Sequence, residues 1–173
     1  MKKLTALVLA LCMALGLAAC GGSKDTGSAA GSTAAASGDT VKIGVYEPQS
    51  GDNGAGGKQE ILGVQYANSV APTVEIGGKT YNVKLEIVDN ESSNDKAVSA
   101  ASQLVSQGVS VVLGSYGSGV SIAASDTFKN AGVPAIGITC TNPAVTAGNT
   151  HYFRACFIDS FQGPVLANYA YDN

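Results

Sequence analysis

Short apolar runs and amphipathic stretches alternate along the chain from Val41 onward. The apolar runs are rich in Val and Ile and have the length of buried strands. A pair of glycines, Gly77-Gly78, separates two β-rich runs and indicates a hairpin turn. Five core strands are predicted, at 41–47, 83–89, 109–115, 133–139 and 151–157.

The stretches between these strands predict helices. Apolar residues recur at nearly helical spacing over 57–70. Ser93 or Asn94 can cap a second helix, which ends at Gly108, and a third helix is predicted over 118–132 and also ends in glycine.

The alternation of strand and helix with short connections predicts an α/β fold, a parallel sheet covered by helices on both faces. The strands are rich in Val and Ile rather than alternating, which agrees with burial on both sides. Ligands of such sheets bind beyond the carboxyl ends of the strands. We therefore expect the functional residues in the loops that follow the strands.

The N-terminal 39 residues have a different composition. Lys2 and Lys3 precede an apolar run from Leu4 to Leu17, and small residues follow, which is the order of a secretory signal peptide. The letters "LAAC" at 17–20 resemble a bacterial lipobox, which implies cleavage after residue 19 and a diacylglyceryl group on Cys20. An ordinary signal peptide with an incidental cysteine, or an uncleaved anchor, is the alternative. Residues 20–39 are mainly Gly, Ser, Ala and Thr and predict a flexible tether.

The composition argues against nucleic-acid binding and against a metal site. Cleavage would remove two lysines and change the formal charge from −3 to −5, and the chain has no tryptophan and no basic patch, so we expect no nucleic-acid partner. A single histidine, His151, with no clustered Cys/His spacing argues against a zinc site, and no cofactor is expected. We expect Cys140 and Cys156 to be free thiols, although an exported compartment permits a disulfide.

The stretch "SGDNGAGGKQ" at 50–59 raises the possibility of a phosphate-binding loop. A Walker A loop needs Ser or Thr after the lysine, and Gln59 stands there; the first glycine of that motif is replaced by Asp52. The dinucleotide fingerprint fails at its last glycine as well. The pattern instead predicts a flexible rim with positive φ angles at several glycines.

Two other loops carry small polar residues that lead into helices, "GSYGSGVS" at 114–121 and "TCTNPAVT" at 139–146. Helix N-termini with exposed amides and hydroxyls suit a carboxylate. Ser118 and Thr141 could each supply a backbone N–H and a hydroxyl. The alternative is that Ser118 and Asn142 are ordinary helix N-caps.

The chain resembles the leucine/isoleucine/valine-type solute-binding lipoproteins of ABC importers, which have the type I periplasmic-binding-protein fold. The resemblance rests on four stretches in matching order: "VKIGVYEPQSGDNGAGGKQEILGVQYAN", "VVLGSYGSGVSIAASD", "AGVPAIGITCTNPAVT" and "YFRACFIDSFQGPVLANYA". It implies that 40–158 form the first of two ligand-binding lobes and that 159–173 form the crossover into the second. The expected second lobe is missing, which suggests that the frame continues beyond Asn173.

The resemblance also implies site residues. Ser118 corresponds to a residue that binds the ligand carboxylate, Thr139 to one whose carbonyl accepts from the ammonium, and Thr141 to one that contacts both groups. An aromatic residue that often lines the ligand is replaced by Gly56, so Tyr46 or Tyr116 could supply that wall. The family's disulfide in this lobe is absent, since 90–93 contain no cysteine and Gly117 stands at its other half.

The function implied is capture of an amino acid, most simply a branched-chain one, and its delivery to an ABC permease. The protein would be a monomer, lipid-anchored at the extracytoplasmic face of the bacterial membrane, and would catalyse no reaction. Alternatives are another ligand on the same scaffold, such as an amide, urea or aromatic acid, and a sensory protein that reports its ligand to a receptor. A neighbouring permease gene would separate transport from sensing. An exported α/β enzyme is a further alternative, which ligand binding without turnover would exclude.

Overall fold

The structure is a computed structural model, and it describes residues 39–173. The predicted signal peptide at 1–19, the lipidation site Cys20 and all but the last residue of the predicted tether lie outside the described residues.

The described residues contain a six-stranded sheet in the order β2-β3-β1-β4-β5-β6. All neighbouring strands are parallel except β2 and β3, which form the antiparallel hairpin predicted at Gly77-Gly78. The strands are β1 (Thr40–Glu47), β2 (Thr73–Ile76), β3 (Lys79–Asp89), β4 (Val111–Leu113), β5 (Ala135–Gly137) and β6 (Tyr152–Arg154).

Four α-helices and one short 3-10 helix, Pro143–Val145, connect or follow these strands. None of the helices in residues 39–173 is long and apolar enough to cross a membrane. The α-helices are α1 (Gly54–Val70), α2 (Asn94–Ser106), α3 (Ser118–Asn130) and α4 (Asp159–Asp172).

One face of the sheet packs against α2 and α3 and forms the core. A Cβ at Gly44 would lie 3.1 Å from Val112 and 3.3 Å from Leu104, so β1 and α2 approach closely here. Tyr46 and Phe128 meet edge to face with their ring centroids 5.5 Å apart. Small residues keep the two helices close together and are fully or nearly fully buried: Ala97, Ala100, Ala101 and Ala124.

The other face packs against α1. Here a cavity of about 560 Å³ remains between the helix and the strands. Its apolar lining includes Ile43, Val64, Leu85, Leu113 and Ile138. With helices on both sides of a mostly parallel sheet, the predicted α/β fold class is confirmed.

Three of the five predicted strands are shorter in the structure than the sequence predicts. For example, 109–115 shortens to Val111–Leu113. Gly114 ends this strand with φ +119° and packs so tightly that a Cβ would lie 2.1 Å from the carbonyl oxygen of Tyr46. Gly114 still donates its backbone N–H to the carbonyl of Ile136 at 3.0 Å, and Ser115 is buried although it belongs to no strand.

The glycine-rich loop is also different from the prediction. Helix α1 begins at Gly54, before the predicted start at 57, and only Gly51 within 50–59 has a positive φ angle, of 72°. Gly57 is needed for close approach, since a Cβ there would lie 2.1 Å from the carbonyl oxygen of Pro48. The expectation of a flexible rim with several positive φ angles is therefore wrong, because most of these glycines belong to a helix that packs directly on the loop before it.

Candidate functional site

The carboxyl ends of β1, β4 and β5 meet at one edge of the sheet, where the N-termini of α1 and α3 also lie. Ser118, the first residue of α3, is half-buried, and its Oγ accepts a hydrogen bond from the backbone N–H of Asn142 at 3.3 Å. This contact joins the two loops that the sequence predicted as a carboxylate site.

Of Ser118 and Asn142, the two residues that could have been ordinary helix N-caps, only Asn142 is a cap. The N-cap of α3 is Gly117, so Ser118 is not its cap. Asn142 does cap the 3-10 helix, because its Oδ1 accepts from the backbone N–H of Ala144 at 2.9 Å. The contact with Asn142 uses a lone pair of the Ser118 oxygen and does not use the hydroxyl hydrogen.

The two threonines lie in the loop after β5. Thr139 is exposed and donates its hydroxyl hydrogen to Glu60 Oε1 on α1. Thr141 is half-buried, and its carbonyl accepts from the backbone N–H of Asp159 at 3.0 Å, where α4 begins. Both residues therefore stand at the same sheet edge as Ser118, as predicted.

Arg154 holds the backbone of this loop, and the sequence analysis missed it. From β6 its guanidinium donates to the carbonyl of Cys140 at 2.9 Å, to that of Asn142 at 3.0 Å and to Thr146 Oγ1 at 2.9 Å. The planar, multiply donating head of arginine suits such a set of acceptors. No local signal identifies this role, because the acceptors lie 8 to 14 residues away in the sequence.

Tyr116 occupies the space over Gly56 on α1. A Cβ at Gly56 would lie 2.4 Å from the Tyr116 ring, and the ring remains 41% exposed. The position at which the family resemblance implies an aromatic side chain is thus filled by an aromatic ring from a different loop.

Tyr46, the other aromatic candidate, belongs to the core. It is 0% exposed, and its hydroxyl donates to the carbonyl of Val120 at 3.1 Å. Burial raises the pKa of this phenol far above its usual value. The expectation that Tyr46 lines the ligand is wrong, because side chains alternate along β1 and Tyr46 points to the face covered by α2 and α3.

A buried carboxyl lies directly beneath this edge. Glu47, the last residue of β1, is 0% exposed, and its Oε2 accepts from the backbone N–H of Tyr116 at 2.7 Å. Burial and the hydrogen-bonded carboxyl of Glu60 raise the pKa of Glu47 to about 10, although the bond from Tyr116 opposes the shift. The sequence signal that could have revealed Glu60 is its position four residues after Gly56, on the same face of α1.

The loop that follows β1 is tied to the loop that follows β3. Asp89 accepts from Gln49 N at 2.8 Å, from Ser50 Oγ at 2.7 Å and from Glu91 N at 2.7 Å. Partial burial opposes ionisation, but these hydrogen bonds prevail and lower the pKa of Asp89. Its role is therefore to organise the loop.

Asn90, in the loop after β3, connects that loop to the segment before α3 through hydrogen bonds. Its Nδ2 donates to Ser115 Oγ at 2.9 Å, and Ser115 Oγ accepts in turn from the backbone N–H of Gly117 at 3.4 Å. These hydrogen bonds join the two segments between which the family resemblance implies a disulfide that this sequence lacks.

The remaining candidate chemistry is sparse. Cys140 and Cys156 are free thiols, and burial together with the neighbouring Cys156 raises the pKa of Cys140. Within residues 39–173 no group of three or more His, Cys, Asp or Glu side chains is arranged to hold a metal ion.

Comparison with known proteins identifies the scaffold. The sequence model of a family described as periplasmic binding protein matches residues 40–173. The chain belongs to this family. It is 35% identical over 135 residues to the Leu/Ile/Val-binding protein homolog 3 of Brucella melitensis, which covers 77% of this chain and 36% of that protein. The chain thus spans little more than a third of that relative's length.

Solved structures of the family are similar to the described residues. The leucine-binding protein LivK of Thermotoga maritima has a TM-score of 0.70 and 35% identity, covering 76% of this chain and 37% of the other. The substrate-binding protein LivJ of Streptococcus pneumoniae, solved with isoleucine, has a TM-score of 0.67 and 35% identity over 76% and 38% of the two chains. A solute-binding protein of Rhodopseudomonas palustris solved with benzoate has a TM-score of 0.62 and 26% identity, covering 72% and 34%.

Proposed function

We propose that this chain is the ligand-binding lobe of an extracytoplasmic solute-binding component of an ABC importer, with an amino acid as its ligand. The observation that carries the proposal is the contact between Ser118 and Asn142. It leaves the Ser118 hydroxyl hydrogen free to donate, at the N-terminus of α3, where unpaired amides and the helix dipole favour an anion.

The ligand carboxylate would be bound by Ser118 and by the first backbone amides of α3. Thr141, held at the adjacent loop by Arg154, would contribute its hydroxyl from the other side. The ammonium would lie toward Thr139. Such charge-assisted hydrogen bonds are about twice as strong as neutral ones.

The ligand side chain would pack against Tyr116, whose exposed ring lies over Gly56. An aromatic face offers apolar contact without a matching polar group, which suits an aliphatic side chain. Together with the Leu/Ile/Val-binding relatives, this favours a branched-chain amino acid.

A small aromatic acid is a second candidate, because the same ring could stack against it and a relative was solved with benzoate. In both cases the protein binds its ligand without converting it. The permease would be the membrane partner, and Cys20 would carry the lipid anchor; mass spectrometry of the mature N-terminus tests the anchor, since a Cys20→Ala chain would lack the lipid.

Titration calorimetry of the full-length chain tests the function directly. The panel contains leucine, isoleucine, valine, a polar amino acid, urea and benzoate. We expect binding of the branched-chain amino acids, with unchanged ligand recovered afterwards. Binding of benzoate alone would favour the second candidate, and recovery of a converted product would contradict the binding function.

A further inference from the structure

Two carboxyl groups beneath the site lack donors for two of their oxygens. Glu47 Oε1 and Glu60 Oε2 are both buried, and neither has a hydrogen-bond partner within residues 39–173. The two side chains lie within hydrogen-bonding reach of each other. Two buried carboxylate oxygens facing each other without a donor would be strongly unfavourable, and one shared proton satisfies both.

The proton has a defined place. Glu47 Oε2 already accepts from the backbone N–H of Tyr116, so the hydrogen belongs on Oε1, from which it is donated to Glu60 Oε2.

The remaining oxygen of Glu60 determines how Thr139 can act. Glu60 Oε1 accepts the hydroxyl hydrogen of Thr139. A hydroxyl has one hydrogen and two lone pairs, so Thr139 Oγ1 can only accept from a further group. Ser118 differs from Thr139, because its oxygen accepts from Asn142 and this contact does not use its hydroxyl hydrogen.

We propose that the Glu47–Glu60 pair is a positioning device that makes the Thr139 hydroxyl an acceptor-only contact, so that the site prefers ligands with an N–H donor beside their carboxylate. Such a ligand is an amino acid, and a carboxylic acid without the ammonium is disfavoured. This inference rests on the proposed function and adds to it the residues that choose between zwitterions and simple acids.

The test compares leucine with 4-methylpentanoate, which has the same carbon skeleton and carboxylate but no ammonium. In Thr139→Val a methyl group of similar shape replaces the hydroxyl acceptor, whereas the backbone carbonyl that the family resemblance assigns to the ammonium is kept. We expect leucine affinity to fall about tenfold, as for loss of a hydrogen bond to a charged group, and 4-methylpentanoate affinity to stay the same. An equal loss for both ligands would overturn the inference.

The pair itself is tested through Glu47. Glu47→Ala removes the donor to Glu60 and should reduce the preference for leucine over 4-methylpentanoate. Glu47→Gln should rescue that preference, since its amide N–H donates to Glu60 while its oxygen accepts from Tyr116 N. A Glu47→Gln chain as defective as Glu47→Ala would overturn the proton-sharing arrangement. Ser106→Ala, at the far end of α2, is the control.

An infrared measurement is independent of ligand binding. At neutral pH we expect the carbonyl stretch of a protonated carboxyl group, shifted by deuterium exchange and lost in Glu47→Gln. Absence of this band from the unmodified chain would overturn the pair. If the unmodified chain binds neither probe, the proposed function and the ligand preference both fail, while the band still decides whether the two glutamates share a proton.

Discussion

Ser118 Oγ accepts the backbone N–H of Asn142 at 3.3 Å, across 24 residues of sequence. This contact joins the N-terminus of α3 to the loop after β5 and leaves the hydroxyl hydrogen of the serine unused. The contact therefore connects the two loops that carry the proposed carboxylate contacts.

Tyr152 supports the segment that precedes α3. The side chain is buried, and its hydroxyl donates to the carbonyl of Gly114 at 2.7 Å. Tyr152→Phe would leave this buried carbonyl without that donor, so we expect the free energy of unfolding in urea to fall by about 1–3 kcal/mol. Tyr171→Phe, at a position 92% exposed, is the control and should change it by less than about 0.5 kcal/mol. Equal effects of the two substitutions would contradict this role.

Gly56 is required for the position of the Tyr116 ring. A Cβ at Gly56 would lie 2.4 Å from that ring, so Gly56→Ala forces the tyrosine to move. We expect ligand affinity measured by calorimetry to fall several-fold, whereas helix propensity alone would favour alanine by about 0.5–1 kcal/mol. The matched control is Gly63→Ala on the same helix, where a Cβ would meet nothing within 4 Å. If both variants bind equally well, Tyr116 does not form a wall of the site.

Arg154 should be irreplaceable by lysine. Its guanidinium reaches several acceptors of the loop that carries Thr141, and a single ammonium cannot reproduce this set. We expect Arg154→Lys to lower the free energy of unfolding by about 1–3 kcal/mol and to weaken ligand binding. Lys58→Arg on the exposed side of α1 controls for a charge-conserving exchange. Unchanged unfolding and binding in Arg154→Lys would show that the loop does not need the guanidinium.

Glu47 makes the free energy of unfolding decrease as the pH rises toward alkaline values. Its pKa rises from 4.5 to about 10 in the folded chain, so between these values the folded state holds a proton that the unfolded state has released. The contribution of Glu47 to the free energy of unfolding is fully present below pH 4.5 and is lost as the pH rises through about 10. The slope is at most about 1.4 kcal/mol per pH unit.

Urea unfolding from pH 5 to pH 10 checks this dependence. Glu47→Gln has no proton to lose, so the unmodified chain should lose stability relative to it as the pH rises. A constant difference between the two chains across this range would contradict a shared proton at Glu47.

The sequence pattern predicts the succession of strands and helices along the chain, because burial on both faces of a parallel sheet favours runs rich in Val and Ile. It places strand ends poorly, since residues such as Ser115 remain buried after pairing has stopped. The early start of α1 at Gly54 is equally hidden, because glycine usually signals a loop and here permits tight packing against Pro48 and Gln49.

Some residues of the site can be predicted from the sequence, and others depend on tertiary packing. Ser118 and Thr141 follow strands and precede helices, so their place at the sheet edge is readable from order alone. Tyr46 is misassigned, since its side chain points to the opposite face of β1. The pairing of Glu47 with Glu60 depends on how α1 lies against the sheet, which no local pattern encodes.

The most direct test of the amino-acid clamp is calorimetry with leucine on the full-length chain carrying both Ser118→Ala and Thr141→Ala. The account predicts that heat of binding disappears or that affinity falls at least about a hundredfold, because two hydrogen bonds to charged groups are lost. Ser106→Ala should bind as the unmodified chain does, and circular dichroism should show that all the variants are folded. Unchanged leucine affinity in the folded double variant would contradict the placement of the ligand at this edge of the sheet.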